Sequence, residues 1–229
     1  IQPSKERMNL VWGLGTWQTF GSVTVASKLL SLTQEEILNA LGIAGANAPV
    51  PSTNKAMFPP SMVKNNYGIA SEVGVLAALL AKRGFTGPCH ILDGDTGFWR
   101  MYGSDKCNFD LMTKSLGEKY HILEVAFKPY PCCRWLHSGI DATLKIIEEN
   151  RINVENIRKI IVKTSNYIAR PKYANPRPDT MIDAIVSMPY AISAAVTGVK
   201  RGVDWYSEET MKNPKILEVA RKIILTSDP

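Results

Sequence analysis

The segment Lys128-Pro-Tyr-Pro-Cys-Cys-Arg-Trp-Leu-His137 combines side chains that bind anions with side chains that exchange protons. Lysine and arginine hold carboxylates, while histidine, and cysteine when its pKa is lowered, can move protons near neutral pH. Two prolines keep the approach extended, so the chain is expected to turn into a helix at about Arg134. Free amides at that helix start, with Lys128 and Arg134 beside them, would suit a carboxylate ligand. The plainer alternative is a Pro- and Cys-rich loop whose few cations have no function.

The hydrophobic pattern predicts mainly α structure with an α+β part, and it changes character at about residue 117. Residues 1–117 are expected to form helices joined by Gly- and Pro-rich turns. The capping-box spacing Thr33-Gln-Glu-Glu36 opens one of these helices. The Gly and Ala content of the helix before Gly84 indicates close helix packing. The expected elements are helices over 16–32, 34–44 and 67–81, and an irregular stretch over 47–66 that ends near Lys64.

Residues 118–229 alternate strand-like and helix-like segments, which indicates an α+β domain that begins with a βαβ unit. Pro189 should interrupt a helix over 179–198, because it removes one backbone hydrogen bond. The expected order is a strand over 120–128, an amphipathic helix over 135–150, a strand over 157–164, the helix with Pro189, short helices from Ser207 and Asn213, and a strand over 222–226.

Composition narrows the classes of partner. The chain has 229 residues with 45% hydrophobic and 21% charged content, and it contains no run of eighteen apolar residues, so we expect a globular chain without a membrane span. The net charge is +6, but no basic block reaches five residues, so an acidic small molecule is favoured over nucleic acid. The four cysteines include an adjacent pair and no Cys-x-x-Cys. No disulfide framework or metal site is therefore expected, and a cytoplasmic location with reduced thiols is the default.

Several short strings, in this order, resemble the MmgE/PrpD family over nearly the whole chain. They are Gly15-Thr-Trp-Gln-Thr-Phe-Gly21, Leu41-Gly-Ile-Ala-Gly45, Tyr67-Gly-Ile-Ala70 with Ala77-Ala-Leu-Leu-Ala81, Gly84-Phe-Thr-Gly-Pro88 with Ile91-Leu-Asp-Gly94, the Lys128–His137 segment, and Ser187-Met-Pro-Tyr190. The family includes 2-methylcitrate dehydratase, cis-aconitate decarboxylase and iminodisuccinate epimerase. The resemblance implies that residues 1–117 are part of an all-helical domain and residues 118–229 an α+β lid. It also implies homodimers, and an internal fragment that lacks an N-terminal Asp- and His-bearing stretch and a C-terminal return.

The resemblance also assigns expected roles to residues at matching positions. Lys128 would line a pocket between the domains, with Lys64 as a second substrate-contacting lysine and Arg134 as a further grip on a carboxylate. His137 and Tyr190 would be pocket residues that hold substrate or move protons. Asp141, four residues after His137, would share its helix face and orient the imidazole. For each there is a structural alternative: a solvated lysine, an arginine covering a surface, a hydrogen-bonded core histidine or a core tyrosine.

Two departures from the family pattern bear on the reaction. For the dehydratase and decarboxylase branches the resemblance implies histidines at the positions where this chain has Trp12 and the pair Cys132 and Cys133. A cysteine could replace such a histidine only if Lys128 and Arg134 lowered its pKa.

The resemblance therefore predicts a cofactor-free lyase that dehydrates or decarboxylates a small di- or tricarboxylate. Lys128, Tyr190, His137 and Cys133 would be catalytic, while Lys64, Arg134 and Cys132 would bind substrate. The alternatives are an epimerase of an amino-dicarboxylate, or a relative that binds an acid without catalysis or is a gene fragment.

Overall fold

The computed structural model describes residues 6–7, 15–50, 62–102 and 107–227. It divides into two compact units, residues 1–120 and 121–229. The fold is mainly α with an α+β part in the second unit, as the sequence predicts. No helix of the described residues combines the length and the hydropathy that crossing a membrane requires. Trp12 and residues 51–61 of the Pro-rich stretch lie outside the described residues.

The regular elements of the first unit are all helices in the part that the structure describes. Its helices are α1 (Gln18–Leu29), α2 (Gln34–Asn47), α3 (Met62–Lys82), α4 (Phe98–Tyr102) and α5 (Asp110–Thr113). The predicted capping box is confirmed, since Thr33 N donates to Glu36 Oε2 at 2.7 Å and Glu36 N donates to Thr33 Oγ1 at 3.3 Å. The predicted irregular stretch was too long, because residues 62–66 already belong to α3.

Small residues let the helices of the first unit approach closely. A Cβ added at Gly74 of α3 would lie 2.0 Å from Ser22 Oγ and 2.6 Å from the carbonyl oxygen of Thr19, both at α1. Buried alanines fill the core around this contact, with Ala40, Ala77 and Ala78 among them. The predicted close packing is thus confirmed, and it depends on the absence of a side chain at Gly74.

The second unit contains a two-stranded parallel sheet and short helices. Its elements are α6 (His137–Glu149), β1 (Ile160–Thr164), α7 (Met181–Val186), α8 (Met188–Val196), α9 (Glu208–Met211), α10 (Pro214–Arg221) and β2 (Ile223–Ser227). Turns of 3-10 helix cover Arg134–Leu136, Pro171–Tyr173 and Val203–Tyr206. In the sheet Ile160 pairs with Ile223 and Thr164 with Ser227. The core contains Leu136, Ile140, Met188, Ile192 and Trp205.

The predicted strand over 120–128 is wrong. Residues His121–Glu124 form a 3-10 turn, and β1 pairs only with β2 among the described residues. The apolar side chains that suggested a strand are exposed, Ile122 by 75% and Phe127 by 93%. Residues of high β propensity form a strand only when a neighbouring edge accepts their backbone hydrogen bonds. The βαβ unit therefore lacks its first strand.

The predicted helix over 179–198 is two helices, and the break falls at Ser187 rather than at Pro189. Ser187 caps α8, since Tyr190 N donates to its Oγ at 3.0 Å. Pro189 then lies in the first turn of α8, where the missing N–H costs nothing. The expectation of a proline-bent helix is corrected accordingly.

Candidate functional site

The Lys128–His137 segment turns into a helix where the sequence predicts. A 3-10 turn begins at Arg134, and α6 follows from His137. The amide of Cys133 donates to Ile185 O at 2.8 Å, and Leu136 N donates to Cys133 O at 2.9 Å. These amides are therefore occupied, and the expected cluster of free amides for a carboxylate is not formed by them.

The two cations of the segment are exposed to solvent. Lys128 Nζ donates to the carbonyl oxygen of Cys132 at 3.3 Å, so its positive charge lies next to the backbone of the cysteine pair. Arg134 lies over the ring of Trp135, with Cζ 5.5 Å from the ring centroid. Both cationic groups thus contact their own segment, and both remain accessible to an anion.

The two cysteines differ in burial. Cys132 is only 1% exposed. Burial, and then the neighbouring Cys133, raise the pKa of the Cys132 thiol to about 12, against a weaker opposite effect of Lys128. The expected lowering of the pKa is therefore wrong for Cys132, which is a neutral thiol at neutral pH. Cys133 is half-buried and is the cysteine that a ligand can reach.

His137 is buried, and its Nε2 has no hydrogen-bond partner among the described residues. Asp141 does not orient it as expected, because Asp141 Oδ1 accepts a hydrogen bond from Tyr130 OH at 2.6 Å. The Tyr130 ring lies edge-on to the imidazole, with centroids 5.3 Å apart. An unpaired buried nitrogen is uncommon in proteins and calls for a polar partner.

The structure places Tyr190 in the core of the second unit and Lys64 in the first unit. Tyr190 is fully buried, its hydroxyl donates to Trp205 O, and burial raises its pKa to about 12. It packs with Ala184 and Ile216, which matches the alternative of a core tyrosine. Lys64 belongs to α3 of the first unit, and its side chain lies outside the described part. The substrate contacts of both residues stay predictions.

Sequence reasoning missed a group of cations and tyrosines beside the Lys128–His137 segment. Arg170 Cζ lies 4.7 Å and Lys172 Nζ 5.2 Å from the centroid of the Tyr167 ring. The Tyr167 ring lies 6.3 Å from the ring of Trp135 in the Lys128–His137 segment, centroid to centroid. The run Tyr167-Ile-Ala-Arg-Pro-Lys-Tyr173 carried the signal, since it resembles the Lys128–His137 segment in its proline, cations and aromatic residues.

Arg201 was missed as well. Its Cζ lies 4.6 Å from the centroid of the Tyr130 ring. Cations thus contact the segment at three places, Lys128 at Cys132, Arg134 at Trp135 and Arg201 at Tyr130, and the arrangement suits a ligand with several negative charges.

Comparison with known proteins finds a family match in each of the two units. The MmgE/PrpD N-terminal domain matches residues 2–110, and the MmgE/PrpD C-terminal domain matches residues 130–229. The chain belongs to the MmgE/PrpD family. The cis-aconitate decarboxylase of Aspergillus terreus (strain NIH 2624 / FGSC A1156) is 26% identical over 213 residues, which cover 86% of this chain and 43% of the relative.

Human cis-aconitate decarboxylase is similar to the same extent. It is 27% identical over 217 residues, which cover 92% of this MmgE/PrpD chain and 44% of the human protein. The chain therefore spans less than half the length of these curated relatives.

Proposed function

We propose that this MmgE/PrpD chain is part of a lyase that acts on a small di- or tricarboxylate by proton transfer next to a carboxylate. The observation that carries the proposal is the alignment with cis-aconitate decarboxylases over 86% and 92% of the chain. The name of these relatives makes cis-aconitate the first candidate substrate, and decarboxylation the first candidate reaction. Dehydration of a 2-methylcitrate-like acid is the other lyase reaction within the proposal.

Both reactions place negative charge on carbon beside a carboxylate. In decarboxylation the bond between carbon and one carboxylate breaks, carbon dioxide leaves, and the electron pair stays on carbon until a proton is added. In dehydration a proton is removed next to a carboxylate, and the hydroxyl group receives a proton and leaves as water. Cations that hold the remaining carboxylates lower the energy of the charged intermediate in either case.

Lys128 and Arg134 suit the role of holding carboxylates, because both cations are exposed and each is steadied by a contact with its own segment. Among the proton-transferring candidates, support is strongest for Cys133 and His137. Cys133 is accessible, and His137 has a buried nitrogen without a partner among the described residues. Tyr190 and Cys132 have less support, since burial raises the pKa of both.

An epimerase of an amino-dicarboxylate is the second candidate. It is favoured by Cys132 and Cys133, which stand where the resemblance implies histidine in the dehydratase and decarboxylase branches. Epimerisation needs only removal and return of one proton, with no leaving group.

Incubation of the whole gene product with cis-aconitate and with 2-methylcitrate tests the proposal. We expect release of carbon dioxide from the first acid, or a rise in ultraviolet absorbance from an unsaturated product of the second. Lys128→Ala should abolish the turnover, whereas Lys145→Ala, at a side chain 73% exposed on α6, should not. Inactivity of the folded protein towards both acids would contradict the lyase. Loss of optical activity in an amino-dicarboxylate without a change in its mass would favour the epimerase.

A further inference from the structure

Arg170 and Lys172 lie against the same tyrosine ring, one on each side of Pro171 in the chain. Arg170 Cζ is 4.7 Å and Lys172 Nζ is 5.2 Å from the Tyr167 centroid. Lys172 Nζ also lies 4.9 Å from the centroid of the Tyr173 ring, and that ring is buried. Pro171 begins the 3-10 turn that carries Lys172, and it restricts the backbone between the two cations. The two charges are therefore held in place before any ligand arrives.

This group lies next to the Lys128–His137 segment. The rings of Trp135 and Tyr167 are 6.3 Å apart, and those of Tyr167 and Tyr173 are 6.0 Å apart. Tyr173 belongs to the core cluster against which Cys133 packs. These three aromatic rings thus link Arg134, which lies over Trp135, with Arg170 and Lys172.

Two cations near one ring repel each other. Burial first, and Arg170 second, lower the pKa of Lys172. An anion between the two side chains would relieve this repulsion. A planar carboxylate fits best, because the guanidinium fork can donate two parallel hydrogen bonds to it while the ammonium acts as a point charge.

We propose that Arg170 and Lys172 form a carboxylate-binding subsite beside the Lys128–His137 segment, which holds one carboxylate of a polycarboxylate ligand. The inference rests on the proposed function, since it assigns a second carboxylate of the same acid to a place distinct from Lys128 and Arg134. It also specifies the ligand class, because a monocarboxylate cannot occupy both places.

The competing explanation is that the two cations only cover tyrosine faces. Exposed cation–π contacts contribute about 0.5–1 kcal/mol each to stability and need no ligand. Under that explanation, removing either charge would change stability slightly and would leave ligand binding unchanged.

Titration calorimetry with tricarballylate separates the two explanations. This saturated tricarboxylate has neither a double bond nor a hydroxyl group, so it offers nothing to hydrate or dehydrate. We expect the whole gene product to bind it, and Arg170→Gln and Lys172→Gln each to raise its Kd about tenfold or more, the usual effect of losing a charged hydrogen bond. Arg170→Lys should weaken binding less than Arg170→Gln, because the charge remains while the fork is lost. Acetate should bind far more weakly and with little dependence on either residue.

Lys145→Gln is the matched control, since it removes one exposed positive charge from the same unit. Its Kd for tricarballylate should stay within about twofold of the original value, as expected for a charge remote from a binding site. Thermal unfolding of each variant checks that it is folded.

The subsite is wrong if tricarballylate does not bind, if Arg170→Gln and Lys172→Gln bind it as the original protein does, or if Lys145→Gln weakens binding equally. Turnover of cis-aconitate with such a result would retain the proposed function, whereas charge-dependent binding without any turnover would retain only the subsite.

Discussion

The hydroxyl of Tyr130 donates a 2.6 Å hydrogen bond to Oδ1 of Asp141. Tyr130 lies within the Lys128–His137 segment and Asp141 within α6, so this bond ties the segment to the helix that follows it. Burial first, and Asp141 second, raise the pKa of Tyr130. The hydroxyl therefore keeps its proton, and the bond persists at neutral pH.

Tyr130→Phe should lower the free energy of unfolding by about 1–2 kcal/mol, because a carboxylate loses its hydrogen-bond donor while the buried ring stays. Urea denaturation followed by circular dichroism measures the loss. Tyr120→Phe is the control, since Tyr120 is exposed and the same oxygen is removed. Equal effects of the two substitutions would show that the bond to Asp141 does not stabilise the segment.

Stability should decrease at alkaline pH, in part because of Cys132. The pKa of its thiol rises from the usual 9.0 to about 12 in the folded chain. Above pH 9 the unfolded thiol loses its proton while the folded thiol keeps it, so the folded state binds one proton more. Stability then falls as pH rises towards the folded value, with a limiting slope of about 1.4 kcal/mol per pH unit for one proton.

Cys132→Ala should make this alkaline decrease shallower, and Cys89→Ala, at an exposed cysteine, should not. The measurement is the free energy of unfolding in urea at several pH values from 8.5 to 11, under reducing conditions. Buried tyrosines with raised pKa values, Tyr190 among them, keep part of the decrease in every variant. Identical slopes in the Cys132 and Cys89 variants would refute the assignment to Cys132.

The helices could be predicted where the residues that determine a helix start are close together in the sequence. Thr33 and Glu36 are three residues apart, so the capping box is visible in the sequence and marks the start of α2. The turn at Arg134 follows from Pro129 and Pro131 in the same way, because each proline restricts its own backbone and the residue before it.

The local sequence pattern could not decide whether residues 120–128 form a strand, because a strand also needs a neighbouring strand to pair with. Leu123, Val125 and Phe127 alternate as in a strand, yet all three are exposed. The group around Tyr167 was missed for a related reason. Trp135 and Tyr167 are 32 positions apart in the chain, and only the fold brings their rings to 6.3 Å.

Phe127→Ser should change the free energy of unfolding by less than about 0.5 kcal/mol, since a surface side chain makes few contacts to lose. Leu136→Ala is the contrast: Leu136 is fully buried, and its truncation should cost about 2–5 kcal/mol. Chemical denaturation of both variants provides the comparison. A loss above about 2 kcal/mol for Phe127→Ser would mean that the protein buries this side chain in solution.

Two glycine-to-alanine substitutions in the first unit should change stability in opposite directions. At Gly74 the new methyl group would lie 2.0 Å from Ser22 Oγ and 2.6 Å from Thr19 O, so α1 and α3 would have to separate. We expect Gly74→Ala to cost about 1–3 kcal/mol, as overpacking does in other proteins. At Gly21 of α1 no atom lies within 4 Å of the added carbon. Gly21→Ala should therefore stabilise the helix by about 0.5–1 kcal/mol through the higher helix propensity of alanine.

Thermal and urea unfolding of the two variants in parallel measures both effects. Stabilisation by Gly74→Ala would show that α1 and α3 do not pack through this contact, whereas destabilisation by Gly21→Ala would show that its open face is covered in the protein.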